Sequence, residues 1–147
     1  MAFNLSNLMQ GALGNFSQKD QQELNEEYGD FLFKDEEIYS GYQLVRDAII
    51  FTNIRIILVD KQGASGKKTA LRSLYLSHIV DVEMESAGLA FDDSEITITY
   101  LKNIYRRPRE EDTQNLTFEF PKQTDILPLY RFLGNLVVEN RREINQS

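Results

Sequence analysis

The sequence predicts a mainly β protein with flanking helices, an antiparallel sandwich or small barrel followed by a closing helix. Three observations carry that fold class. Hydrophobic spacing changes from helical to alternating at Ile38 and stays near a period of two as far as Phe120. Within that stretch, about seven short alternating runs are separated by residues that favour turns, the pattern of an all-β domain. After Thr124 the spacing returns to three and four residues. The length of 147 residues, 41% apolar, is that of one ordinary globular domain.

At the N-terminus, Phe3, Leu5, Leu8, Met9, Ala12, Leu13 and Phe16 draw one apolar stripe down a short helix that Gly11 and Gly14 weaken. No Lys or Arg precedes Lys19, so the stripe is expected to pack on protein rather than on an acidic bilayer. Ser17 then caps a second helix, with Asp20 in its first turn and Leu24, Tyr28, Phe31 and Leu32 on its buried face. Residues 1–37 hold eight acidic side chains against two basic ones, so nearly all of the net charge of −7 sits there, as a solvated helix face.

The strands follow in order. Ile38–Val45 is a mixed strand, and the β-branched runs Asp47–Thr52 and Ile54–Val59 pair as a hairpin across Asn53, a residue that tolerates left-handed backbone. Lys61–Gly66 is a long loop. Thr69–Leu76 alternates, Val80, Val82 and Met84 oppose Asp81, Glu83 and Glu85, and Ile96, Ile98 and Tyr100 oppose Thr97 and Thr99. Leu116, Phe118 and Phe120 form the last strand, which Pro121 stops. Thr124 or Asp125 caps a final helix whose first turn accommodates Pro128, with Ile126, Leu129, Tyr130, Leu133, Leu136 and Val137 on its apolar face.

Composition excludes much chemistry. Sixteen Lys and Arg against 23 Asp and Glu give the wrong sign for coating nucleic acid or anionic lipid. There is no Cys, hence no thiolate metal site, thiol nucleophile or disulfide, and the single His78 rules out a His-rich metal site. No metal and no cofactor is expected. No apolar run approaches the ~20 residues of a spanning helix, and no basic secretory start is present, so a cytoplasmic location is expected.

Candidate motifs fail on spacing. Gly63–Thr69 has glycines before Lys and Thr, but the position five residues before Gly66 is Lys61, Lys68 stands where the hydroxyl should follow Lys67, and the next segment alternates as a strand. Asp92-Asp93 and Glu110-Glu111-Asp112 are adjacent acids that point apart and stay solvated, unsuited to general acid work. His78 lies at a strand junction with no third residue to orient it, and is expected to be structural. Lys61, Lys67, Lys68 and Arg72 form one basic cluster and Arg106, Arg107 and Arg109 a second, each beside acids that weaken its field.

The run from Tyr42 to Lys68, YQLVRDAIIFTNIRIILVDKQGASGKK, resembles the bacterial pleckstrin-homology family closely. The resemblance rests on the Arg-Asp step before an apolar strand, the Thr-Asn turn, the following Arg and the Asp-Lys-Gln-Gly loop ending in Gly-Lys-Lys, and it continues more weakly through Glu85–Gly88 and the final helix. It implies a seven-stranded bent antiparallel barrel capped by a C-terminal helix, with residues 1–29 an N-terminal helical extension and residues 30–147 the pleckstrin-homology-like domain. It also implies a non-catalytic, self-assembling protein-interaction module whose copies form a cyclic homo-oligomer, a pentamer, with an unidentified protein partner.

The surface residues that the resemblance carries over are Arg46, Asp47, Arg55, Asp60, Lys61, Lys67 and Lys68, an ion pair inside one subunit being an equal alternative for the charged ones. Thr52 and Asn53 belong to the turn, and Gly63 and Gly66 to the loop. The alternative function is a lipid module taking a phosphoinositide-like headgroup; it is disfavoured because the connection near Leu44–Asp47 offers Arg46 alone beside an Asp. The stripe from Phe3 to Phe16 must bury its face, and a neighbouring subunit is its expected recipient.

Overall fold

The computed structural model describes residues 21–62, 68–86 and 93–146. The N-terminal stripe, the Ser17 cap and the loop glycines Gly63 and Gly66 lie outside the described residues. Two compact units are present, one ending at Tyr75 and the other beginning at Leu76. Among the described residues these hold seven strands in two antiparallel sheets and a C-terminal helix, the expected fold class.

The first unit contains helix α1 (Gln21–Tyr28), a 3₁₀ turn (Gly29–Phe31) and the strands β1 (Ile38–Gln43), β2 (Ala48–Thr52), β3 (Arg55–Gln62) and β4 (Lys68–Tyr75), hydrogen-bonded in that order. Register places Ile50 beside Ile57 and Ala48 beside Val59, with Leu71 next to Val59. Leu24 and Tyr28 of α1 complete a buried cluster with Ile38, Ile50, Ile57 and Val59. Helix and sheet approach closely because Gly41 has no side chain: a Cβ there would stand 3.0 Å from both δ-methyls of Leu24. Tyr42, Ile49, Phe51 and Ile56 are also buried, so β2 and β3 hide both of their faces. That is why these strands read as continuous apolar runs.

Two local expectations need correction. Phe31 is expected on the buried face of the second helix, but its ring is half-exposed, because the helix tightens to 3₁₀ at Gly29 and the three-residue turn carries Phe31 off the α1 face. Asn53 does join the β2–β3 hairpin, yet it does so without a left-handed backbone; among the described non-glycine residues only Asp35 has a positive φ, 61°. Asn53 works through its side chain instead.

The second unit contains a 3₁₀ turn (Leu76–His78), β5 (Ile79–Glu85), β6 (Ser94–Leu101), β7 (Thr113–Phe120) and helix α2 (Leu127–Ile144). The capping expectation is corrected: the N-cap position is Ile126, which makes no side-chain cap bond, and Asp125 just before it accepts the Leu127 N–H with Oδ1 at 3.1 Å. Ile126, Leu129, Leu133, Leu136 and Val137 are buried as the spacing predicts, joined by Phe132 and by a polar residue, Asn140. A bulge explains Asn140. Ile79 faces Tyr100 but Asp81 faces Thr99, so Val80 is the extra residue of β5 and the ladder is disturbed around it. Asn140 donates to the carbonyls of Leu76 and Ile79, both at 2.8 Å, and Arg141 Nε donates to that of Val80 at 2.7 Å.

Asn140 thus fastens α2 to β5 by satisfying two buried carbonyls together. Asn140→Ala is expected to destabilise the protein by about 2–3 kcal/mol, as urea denaturation would measure, because both acceptors lose their donor in a site closed to water.

Candidate functional site

Among the described residues, the most constrained polar group is Arg55, at the start of β3. It is 3% exposed. Its guanidinium meets the Glu36 carboxylate through two bonds, Nε to Oε2 at 2.8 Å and Nη2 to Oε1 at 3.0 Å. Nη2 also donates to the Phe31 carbonyl at 3.0 Å, Nη1 donates to Ser73 Oγ at 2.7 Å, and the Phe33 ring lies 3.7 Å from Cζ. Glu36 accepts further bonds from the Thr52 hydroxyl at 2.7 Å and the Phe33 N–H at 2.8 Å. Asn53 closes the same junction, accepting the Glu37 N–H at 2.7 Å and donating to the Asp35 carbonyl at 3.0 Å. The hairpin thereby grips the segment that follows α1.

Burial by itself would raise the Glu36 carboxyl, but the hydrogen bonds from Arg55, Thr52 and the Phe33 N–H, with the Arg55 charge, outweigh it and hold the group below the ordinary carboxylate range.

Around this hub lies an exposed aromatic patch. Tyr75 of β4 is the register partner of Arg55, Phe33 stacks on the guanidinium, and Phe31 supplies the acceptor carbonyl; all three rings are about half-exposed. Among the described residues β4 pairs only with β3.

Expected surface residues divide between the two ends of the first sheet. Arg46 and Asp47 are exposed in the β1–β2 turn, which the Leu44 N–H closes by donating to the Asp47 carbonyl at 2.8 Å. Asp60 is exposed at the same end of the sheet, one residue past the Ala48–Val59 pair. Lys61 and Lys68 belong by backbone to the ends of β3 and β4, while their side chains and the whole of Lys67 lie outside the described residues. Arg55 stands at the opposite end, five residues and about 17 Å from Asp60 along the strand. The surface expectation for Arg55 is therefore corrected: its donors are engaged inside the chain, the intramolecular ion pair that was its alternative.

The second basic cluster gains a partner that the sequence did not indicate. Between β6 and β7, Asn103 pins the loop at its neck, accepting the Asp112 N–H at 2.9 Å and donating to the Glu110 carbonyl at 3.3 Å. Arg106 bonds the Ser77 carbonyl at 3.2 Å and Glu143 at 2.9 Å, and Arg107 donates to the Gln146 carbonyl. With Arg141 of α2 they surround a cleft of about 440 Å³ floored by Val80, Leu101 and Ile144. Beside it Ile104 and Tyr105 stand in solvent, 88% and 79% exposed. Arg109 is exposed and does not line the cleft.

His78 holds structure. Its Nδ1 lies 3.2 Å from the Leu101 carbonyl, which can only accept, so Nδ1 carries the proton. No group of three or more potential metal ligands occurs among the described residues.

A family model described as Bacterial PH domain matches residues 7–137. The protein YjqA of Bacillus subtilis (strain 168), described as uncharacterised, is 42% identical over 88 residues, 60% of this chain and 70% of that one. Among solved structures, a DUF1696 family protein with a pleckstrin-homology domain from Shewanella loihica PV-4 is 28% identical with a TM-score of 0.62, covering 82% of this chain and 96% of that chain. A pleckstrin homology domain from Shewanella amazonensis SB2B is 29% identical with a TM-score of 0.60, covering 88% and 97%.

The hub generates a pH dependence. A depressed carboxyl contributes stability that is present above the pKa it has in the unfolded chain and is lost as pH falls through its lower folded value. Glu36→Gln is expected to cost about 3–5 kcal/mol at pH 7, since it leaves the buried Arg55 charge without its counter-ion. The difference between wild type and variant should shrink as pH drops below the ordinary carboxylate range, as denaturant melts across that interval would record.

Proposed function

The chain belongs to the bacterial PH domain family, and on that premise we propose that it is a non-catalytic protein-interaction module whose copies assemble into a cyclic homo-oligomer, a pentamer, in the cytoplasm. The aromatic patch of Phe31, Phe33 and Tyr75 supports this reading most directly. Exposed aromatic rings held on a rigid base are the usual anchors of protein interfaces, and these three sit around a buried ion pair. A ring repeats one surface around its axis. Arg46, Asp47, Asp60, Lys61 and Lys68, grouped by register near one end of the first sheet, with Lys67 beside Lys68 in sequence, would then recur with each subunit and engage a protein partner with avidity.

The non-catalytic reading rests on the fold family and on the engagement of the most constrained polar groups, Arg55, Glu36 and Asn140, in structural bonds. No described helix is long and apolar enough to cross a membrane. In the first β-turn, Arg46 is the lone cation and Asp47 follows it, so a phosphorylated lipid headgroup would find one guanidinium there.

Light scattering on the full chain at micromolar concentration should give a mass near five times 17.1 kDa. Phe31→Ser with Tyr75→Ser should lower that mass while leaving the circular dichroism spectrum intact. A wild-type mass of 17.1 kDa over a wide concentration range removes the ring. Headgroup-selective flotation with phosphoinositide vesicles, lost in Lys67→Glu/Lys68→Glu, would replace the protein-interaction reading with the lipid one.

A further inference from the structure

We propose that the cleft between the β6–β7 loop and the end of α2 receives the acidic face of α1 from a second copy of this chain, so that one contact joins two different surfaces head to tail. The inference rests on the self-assembly reading above and names its interface. Each surface is built from charge with apolar side chains next to it, and the two signs are opposite.

The receiving side carries Arg106, Arg107 and Arg141 over an apolar floor. Arg106 is paired with Glu143, and Arg141 reaches Asp81 only at 3.9 Å with both side chains more than half-exposed. Arg107 is bonded to a carbonyl, and no carboxylate within salt-bridge distance is found for it among the described residues. The cleft lining itself thus holds three arginines against one carboxylate, Glu111, in a chain of net charge −7. Ile104 and Tyr105, thrown outward by the Asn103 neck, project from the same loop.

The entering side is α1 and the turn after it. Leu24 and Tyr28 face the core, which directs Glu23, Glu26 and Asp30, spaced at three- and four-residue intervals, to the solvent on the far side. Phe31 and Phe33 follow at once and are half-exposed. Acidic side chains can therefore enter a cleft of about 440 Å³ while these rings meet the apolar residues that project beside it. The cleft is too small for a folded element but has room for a few side chains. Because the two surfaces differ, the contact is heterologous, and its repetition gives a ring where the rotation closes.

Charge reversal tests the inference in the full chain. Glu23→Arg/Glu26→Arg makes the entering face positive, and Arg107→Glu/Arg141→Glu makes the cleft negative. Each variant alone should lose at least tenfold in self-association by light scattering and sedimentation. Mixing the two should restore association, since a face of either variant meets a cleft of opposite sign on the other; the recovered multimers are open or even-numbered, because a closed ring of five keeps at least one like-charge contact. Wild-type association should weaken steeply as NaCl is raised to about 0.5 M. The helix variant changes only exposed side chains, so it remains informative if the cleft variant fails to fold.

A wild type that assembles while both variants keep its mass would overturn the inference and leave the self-assembly reading standing; a monomeric wild type would remove both. Saturable binding of inorganic phosphate that the cleft variant abolishes, with its mass unchanged, would assign the cleft to a small anion and overturn the inference as well.

Discussion

Taking a guanidinium and a carboxylate out of water costs several kcal/mol per ion, and the pair survives in an interior only where its geometry is good and its remaining donors and acceptors are satisfied. Arg55 and Glu36 meet that condition by drawing in groups from four separate places: the turn after α1, the loop before β1, the β2–β3 hairpin and β4. Each of these segments must be in position for the ions to be buried. The pair therefore fixes the path from Gly29 to Ile38, and through it the seat of α1 on the sheet, where Leu24 enters the space left by Gly41. Apolar packing alone would hold α1 on this face of the sheet but would not choose its entry angle.

The second unit solves a similar problem with neutral groups. An extra residue in β5 takes carbonyls off the ladder, and Asn140 and Arg141, adjacent on α2, supply the missing donors. The same bulge puts Val80 at the floor of the cleft, and the same arginine lines its wall. The junction that holds α2 on β5 thus shares residues with the cleft. In the first unit the stacking of Phe33 on Arg55 likewise leaves an aromatic ring half in solvent over a fixed base. Both surfaces are presented by rigid polar junctions, which lowers the ordering cost of an association.

Most strands were legible because period-two alternation is local: β4 to β7 begin and end within a few residues of the expected positions. The apolar face of α2 was legible for the same reason. Phe31 was not, since the change to a 3₁₀ turn depends on where Glu36 and Arg55 pull the chain. Arg55 was legible as a notable residue and not as a buried one, because the choice between solvent and an ion pair is decided by Glu36, nineteen positions away. Asn140 followed a polar pattern on an amphipathic helix, and nothing in the sequence reveals that β5 has a bulge for it to satisfy. The cleft escaped for the same reason: Arg107 and Arg141 are brought together by tertiary structure alone.

Amide hydrogen exchange at Phe33 tests the organising role of the pair most directly, because that N–H is donated to Glu36 at 2.8 Å from a segment with no strand or helix of its own. If the ion pair fixes the segment, Phe33 exchanges as slowly as the amides of Ile56 and Ile57 in β3, opening only when the first unit opens. Exchange at Phe33 as fast as in an exposed loop, while Ile56 and Ile57 stay protected, would show that the sheet stands without the pair and contradict the account.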